Sequence, residues 1–128
     1  MKTSELVFEF LQKQGFCPQT DEENGNITFR YQMLSFLFVK NEEDQSFFQL
    51  ILPAIFDVTE DNYTQVLKAV NEVNLGMKVV KVSVVGNSVW LFLESLLDHT
   101  PDISDIMPRA LLILQNAQQR FYQEYHQI

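Results

Sequence analysis

Two runs rich in valine and aromatic residues meet at Gly86-Asn87, and this feature constrains the fold more than any other. A two-residue connection of this composition is typical of a tight β-hairpin, in which the turn fixes the register of both strands. Residues 79–85 and 88–97 are therefore predicted to pair antiparallel, with Val85 opposite Ser88. An amphipathic helix that ends at Gly76 precedes the hairpin.

Both faces of the predicted hairpin are apolar. One face is entirely aliphatic and is predicted to point into the core, with Val84 opposite Val89, Val82 opposite Leu91 and Val80 opposite Leu93. The other face pairs Ser83 with Trp90, Lys81 with Phe92 and Val79 with Glu94. An aromatic side chain of ~150–250 Å², at ~25 cal/mol per Å², forgoes several kcal/mol if it is fully exposed. We therefore expect a partner or self-association there, unless the stems of Lys81 and Glu94 or a terminal helix cover the rings.

The other elements follow from hydrophobic periodicity and from turn and cap residues. We predict a first helix over 3–14, ended by Gly15, and then two strands within 27–40 divided at Gln32-Met33. A third strand over 47–52 is limited by Pro53, and the next helix is capped by Thr59 and ended by a left-handed Gly76. The hairpin follows, and the last helix runs from about Thr100 or Ser104 to Tyr125. This order predicts an α+β fold with helices packed on one antiparallel sheet. Nothing divides the chain, so a single domain over residues 1–128 is expected.

The first three strands repeat the two-faced pattern. The predicted core-facing positions are Ile27, Phe29, Tyr31, Leu34, Phe36, Phe38, Phe48, Leu50 and Leu52 in the strands, Leu6 and Phe10 in the first helix, and Ile106, Ala110, Ile113, Ala117 and Phe121 in the last. The opposite strand positions carry Leu37, Val39, Phe47 and Ile51 among Ser35 and Gln49. Because helices of the same chain supply one layer, we expect a second subunit or a bound peptide to cover the other face.

Composition narrows the class of protein. The net charge of -8 argues against nucleic acid and anionic membrane surfaces, since both are bound through clustered Lys and Arg. No apolar run approaches the ~18 residues of a membrane span. Glu5, Glu9 and Lys13 interrupt the first apolar residues, so no secretory leader is expected. Cys17 is the single cysteine, which excludes an internal disulfide framework, and we expect a cytoplasmic protein.

Few residues offer chemistry. Asp98-His99 could be half of a catalytic pair, but a solvated loop explains these two residues better. Asp57, Glu60 and Asp61 could bind a cation, but their position at the start of a helix explains them without a metal. Cys17, between Phe16 and Pro18, is predicted to pack as a small hydrophobe. Asn74 is predicted to bond loop backbone near Gly76, with Asn71 solvated. We predict no catalytic residue, no metal and no cofactor.

The chain resembles the YbjN family in its element order and in the segments VLKAVNEVNLGMKVVKVSVVGNSVWLFLESLL, GNITFRYQ and FFQLILPAIF, with Asn71 and Asn74 before the hairpin. Members of that family are described as candidate bacterial sensory-transduction regulators and share the fold of the type III secretion chaperones. The resemblance implies a dimer-forming, polypeptide-binding module without catalytic residues. The sequence departs from the pattern at Met33, where relatives tend to carry glycine in the first hairpin.

Together these features predict a non-catalytic protein-binding or regulatory module, acting as a cytoplasmic homodimer that binds a protein or peptide. The candidate partner-binding residues are Trp90, Phe92 and Lys81, followed by Leu37, Phe47 and Ile51. One alternative is a dedicated chaperone for a secreted protein. Another is a small-molecule-binding domain or enzyme that uses Asp98, His99 and Asn74.

Overall fold

The computed structural model describes residues 2–127; Met1 and Ile128, the ends of the predicted domain, lie outside the described residues. Its elements are α1 (Thr3–Lys13), β1 (Gln19–Thr20), β2 (Ile27–Tyr31), β3 (Leu34–Phe38), β4 (Phe47–Asp57), α2 (Tyr63–Gly76), β5 (Val80–Val85), β6 (Ser88–Leu96) and α3 (Ile103–His126). The predicted α+β class and element order are confirmed. The short β1 is an addition that the sequence pattern did not indicate.

The six strands form one antiparallel sheet in the order β1-β2-β3-β4-β6-β5. The β5–β6 hairpin has the predicted register, from Val85 opposite Ser88 to Val80 opposite Leu93. Val79, however, stands outside the ladder at φ +74°, so its predicted pairing with Glu94 is wrong. The left-handed backbone at Val79 turns the chain from the end of α2 into β5.

The core lies between the helices and one face of the sheet, which we call the inner face. It contains Val80, Val82, Val89, Leu91 and Leu93 of the hairpin, as predicted, with Val84 half-buried near the turn. The same core takes in Ile27, Phe29, Phe36, Phe38, Phe48, Leu50 and Leu52 from the other strands.

Two helices present slightly different faces from those predicted. In α1, Val7 and Leu11 are buried, whereas Leu6 and Phe10 pack only partly against the core. In α3, Ala110, Ala117 and Phe121 are buried as predicted, but Met107 and Leu114 are buried in preference to Ile106 and Ile113. The contact surface is therefore rotated by about one residue, because a helix side chain leans toward the preceding turn.

Three backbone predictions need correction. Pro53 does not end its strand, since β4 continues to Asp57 across a bulge in which Ala54 has φ +53°. Gly76 is the last helical residue rather than a left-handed cap, and a Cβ there would lie 2.7 Å from Nη2 of Arg120. Thr59 is four positions before the start of α2 at Tyr63; its Oγ1 accepts a hydrogen bond from the backbone N–H of Asn62.

The predicted break at Gln32-Met33 is confirmed as the tight turn between β2 and β3. Both residues adopt left-handed backbone, at φ +51° and +67°, although neither is a glycine or asparagine. This geometry is that of a hairpin turn whose twist matches the flanking strands. The side chain of Met33 is 88% exposed, so it offers no packing in return for the strain.

We expect Met33→Gly to raise the free energy of unfolding by about 0.5–1 kcal/mol. Glycine removes the energetic penalty of left-handed backbone, and the higher conformational entropy that it gives the unfolded chain cancels only part of this gain. Urea unfolding followed by circular dichroism measures the change. Met33→Ala is the matched control, since it removes the same exposed side chain and keeps the penalty. Equal stability of the glycine and alanine variants would contradict the prediction.

Candidate functional site

The face of the sheet opposite the helices, here called the outer sheet face, brings the six predicted partner-binding residues onto one surface. Leu37 pairs with Ile51, Ile51 with Phe92, and Phe92 with Lys81, so these four form one row across β3, β4, β6 and β5. Alternation along the strands places Trp90 and Phe47 on the same face. Trp90 flanks the row on one side.

Phe47 is separated from that row by polar side chains. It pairs with Leu96 at the end of the β4–β6 ladder, and the pair Gln49–Glu94 lies between it and Ile51–Phe92. The apolar centre of the outer sheet face is therefore Leu37, Ile51, Phe92 and Trp90, with Phe47 and the 77% exposed Leu96 beyond a polar row.

Within residues 2–127, no helix covers this face. The buried cluster and the side chains packed against it include residues of all three helices and of the inner face, but none of the six residues named above. Ile51 is nevertheless only 5% exposed, because Leu37 and Phe92 flank it on the adjacent strands. The outer sheet face thus has a small apolar layer of its own, distinct from the main core.

The aromatic pair is partly shielded by its neighbours. The rings of Trp90 and Phe92 stack with centroids 6.2 Å apart, and Nζ of Lys81 lies 5.1 Å from the Phe92 centroid. The indole Nε1 of Trp90 donates to Oγ of Ser88 at 3.0 Å. The alternative of cover by Lys81 is therefore met in part, at Phe92, and both rings remain half-buried rather than enclosed.

A polar network crosses three strands beside the rings. Nζ of Lys81 lies 3.1 Å from Oε1 of Glu94, and Nε2 of Gln49 donates to Oε2 of the same carboxylate at 2.7 Å. Both carboxylate oxygens are thus engaged and the two charges compensate each other. Sequence reasoning missed Gln49, because its role depends on the β4–β6 register; its outward position beside Ile51 was the only available signal.

The residues of the small-molecule alternative are not brought together. Asp98 and His99 are exposed and line an open cleft of about 1040 Å³ with Thr3 and Gln45. Asn74 instead bonds the backbone of Val82, accepting from its N–H at 2.8 Å and donating to its C=O at 3.0 Å. The predicted bonding of Asn74 to backbone is right in kind, but the partner is a strand rather than the loop near Gly76.

Other candidate chemistry is dispersed. Cys17 is exposed with φ +50°, so the prediction that it packs as a hydrophobe is wrong; its left-handed backbone turns the side chain away from the core. In the part of the chain that the structure describes, no three His, Cys, Asp or Glu side chains are grouped to hold a metal ion. None of the helices in residues 2–127 is long and apolar enough to cross a membrane.

Comparison with solved structures identifies the fold. An uncharacterized protein from Methanothermobacter thermautotrophicus superposes with a TM-score of 0.69 at 12% identity, over 98% of this chain and 97% of that one. YbjN from E. coli, described as a candidate transcription regulator, superposes with a TM-score of 0.63 at 8% identity, over 96% and 92% of the two chains. The chain has the fold of YbjN. No protein-family model and no curated protein matches the sequence.

The YbjN-like fold that the sequence resemblance implied is therefore confirmed over nearly the whole chain. At such low identity the superposition describes the backbone and contains no information on the side chains of the outer sheet face. The coupling free energy within the polar network of the outer sheet face measures how strongly that surface is organised before any partner binds.

We expect the Lys81–Glu94 pair to have a coupling free energy of about 0.5 kcal/mol in a double-mutant cycle with Lys81→Met and Glu94→Gln, because exposed ion pairs are weak. The coupling should fall by at least half between about 0.1 and 1 M salt, through screening. The exposed helical pair Lys13–Glu9 is the control for the coupling and the salt dependence of an ion pair away from this face. A coupling of zero at low salt would show that the network does not organise the surface.

Proposed function

We propose that this chain is a non-catalytic protein-binding or regulatory module that works in the cytoplasm as a homodimer, and that the polypeptide bound by the outer sheet face is a second copy of this chain. The observation that carries the proposal is the placement of the helices. All three pack on the inner face, so the apolar centre of the other face has no cover from residues 2–127. An antiparallel sheet can leave one face in water if that face is polar. The outer sheet face has an apolar centre, so it needs cover as well.

The partial burial of the aromatic rings supports binding at this face rather than simple exposure to water. Trp90 and Phe92 are half-buried and lie beside the nearly buried Ile51, so a partner removes the remaining aromatic surface from water at little conformational cost. Aromatic side chains already held by stacking and by a cation lose few rotamers on binding. Contacts of this kind commonly dominate the free energy of an interface.

Charge on the surface supports the same proposal. The chain carries a net charge of -8, yet the charged side chains next to Phe92 are one lysine and one glutamate that pair with each other, and the exposed Asp57 lies opposite Ser88, beyond Trp90. The centre of the outer sheet face is therefore close to neutral. Two copies can approach there without direct repulsion between like charges at the contact, while acidic residues elsewhere keep the assembly soluble.

The proposal of a non-catalytic role rests on the dispersal of the reactive groups. Asp98 and His99 lie on the cleft beside Thr3, whereas Asn74 is engaged with Val82. Of the two structural neighbours, one is an uncharacterized protein and the other is described as a candidate transcription regulator. We extend a regulatory role from that neighbour to this chain as part of the proposal.

We expect the protein to self-associate with concentration and the double variant Trp90→Ala, Phe92→Ala to remain monomeric. Phe92→Ala alone should weaken the dimer at least tenfold, because loss of a central aromatic contact costs more than the ~1.4 kcal/mol of one decade. Sedimentation velocity measures the dissociation constant. Trp90 is the single tryptophan, so its emission in the parent and in Phe92→Ala reports directly on this surface.

A double variant of two helix residues, Leu75→Ala with Leu112→Ala, is the matched control. These side chains are 75% and 58% exposed and belong to the opposite layer of the molecule. The control should dimerise like the parent. A dimer that survives the Trp90 and Phe92 substitutions, or that forms without any change in Trp90 emission, would refute the placement of the interface.

A further inference from the structure

The two free edges of the sheet differ sharply in what they offer to another strand. β1 has only two residues and follows Pro18, which lacks an N–H, so a further strand gains little by pairing there. β5 has six residues with the sequence VKVSVV, a composition with high β-propensity and a single charge. An edge of this kind is a template for pairing with an identical strand.

Asn74 occupies the middle of the β5 edge. From the last turn of α2, its Oδ1 accepts the N–H of Val82 at 2.8 Å and its Nδ2 donates to the C=O of Val82 at 3.0 Å. A residue of an added antiparallel strand would make the same two bonds with Val82. The side-chain amide carries the donor and acceptor of a peptide group, so it takes the place of a strand at this position.

The position of Val82 makes this single contact effective. Its N–H and C=O point away from β6, although the residue pairs in register with Leu91. Outward groups alternate along a strand, so Val80 and Val84 direct theirs to the same edge, two residues to either side. A ladder along β5 has to pass through Val82, and Asn74 interrupts it at its centre.

We propose that Asn74 guards the β5 edge and prevents a second copy of this chain from adding its own β5 to the sheet. A second copy is the relevant occupant because two β5 strands can pair antiparallel about a two-fold axis near Val82, and the same contacts then serve both chains. The edge is separate from the outer sheet face, so the proposal does not rest on the proposed function.

Amide hydrogen exchange, resolved by NMR, tests the guarding bond in the protein itself. The Val82 amide should exchange at least tenfold more slowly than that of Val84, which lies on the same edge. In Asn74→Ala this difference should disappear. Asn71→Ala is the control, because Asn71 is exposed one turn earlier in α2, and it should leave the Val82 rate unchanged.

Sedimentation velocity tests the consequence for assembly. Asn74→Ala should associate at least tenfold more tightly than the parent, giving dimers if the parent is monomeric and tetramers or longer species if it is already dimeric. Failure of the proposed function therefore remains distinguishable from failure here. Adding Val84→Pro should reverse the gain, because proline removes an outward N–H without removing a bond to β6.

If Asn74→Ala does not fold, Asn74→Ser decides, since its side chain keeps a polar group on the helix surface but is too short to bond both the N–H and the C=O of Val82. It should associate more tightly than the parent, and its Val82 amide should exchange as fast as that of Val84. A folded Asn74 variant whose association equals that of the parent overturns the proposal. Association that Val84→Pro does not reverse overturns it equally, because it places the new contact away from the edge.

Discussion

The ladder between β4 and β6 is the contact on which the rest of this structure depends. These two long strands are separated in sequence by α2 and β5, and they join the first four strands to the carboxyl-terminal hairpin. Their register places Ile51 beside Phe92 and Gln49 beside Glu94. The inner face becomes a continuous surface for the helices by the same pairing, and the apolar row of the outer sheet face exists only because of it.

A bulge in β4 allows this ladder to serve both faces. Residues 53–55 stand opposite Trp90 alone, and the strand then resumes with Phe56 opposite Val89 on the inner face. The ring of Phe56 packs 5.4 Å from that of Phe121. The carbonyl of Ile55, which the bulge removes from regular pairing, accepts a hydrogen bond from the hydroxyl of Tyr122 at 2.9 Å. α3 therefore supports the irregularity directly.

Sequence reasoning succeeds where a local signal fixes the geometry and fails where a distant contact does. Gly86-Asn87 determines the hairpin register, and alternation then assigns Trp90 and Phe92 to the outer sheet face. The bulge after Pro53, the helical state of Gly76 beside Arg120 and the target of Asn74 all depend on elements far along the chain or across a loop. Periodicity contains no information on these contacts. The apolar residues of the site were therefore predictable, whereas the polar network around them was not.

The arrangement of polar residues restricts how a partner can use the outer sheet face. Gln49 and Glu94 form a row between Ile51–Phe92 and Phe47–Leu96. Covering this row would desolvate a carboxylate whose charged partner, Lys81, has a side chain that is 55% exposed. Burial of such a pair costs more than it returns unless further hydrogen bonds are supplied. A partner therefore gains most by covering Leu37, Ile51, Phe92 and Trp90 and by leaving Glu94 at the rim. The proposed binding surface is thus narrower than the apolar residues of the whole face suggest, and the polar row separates Phe47 from it.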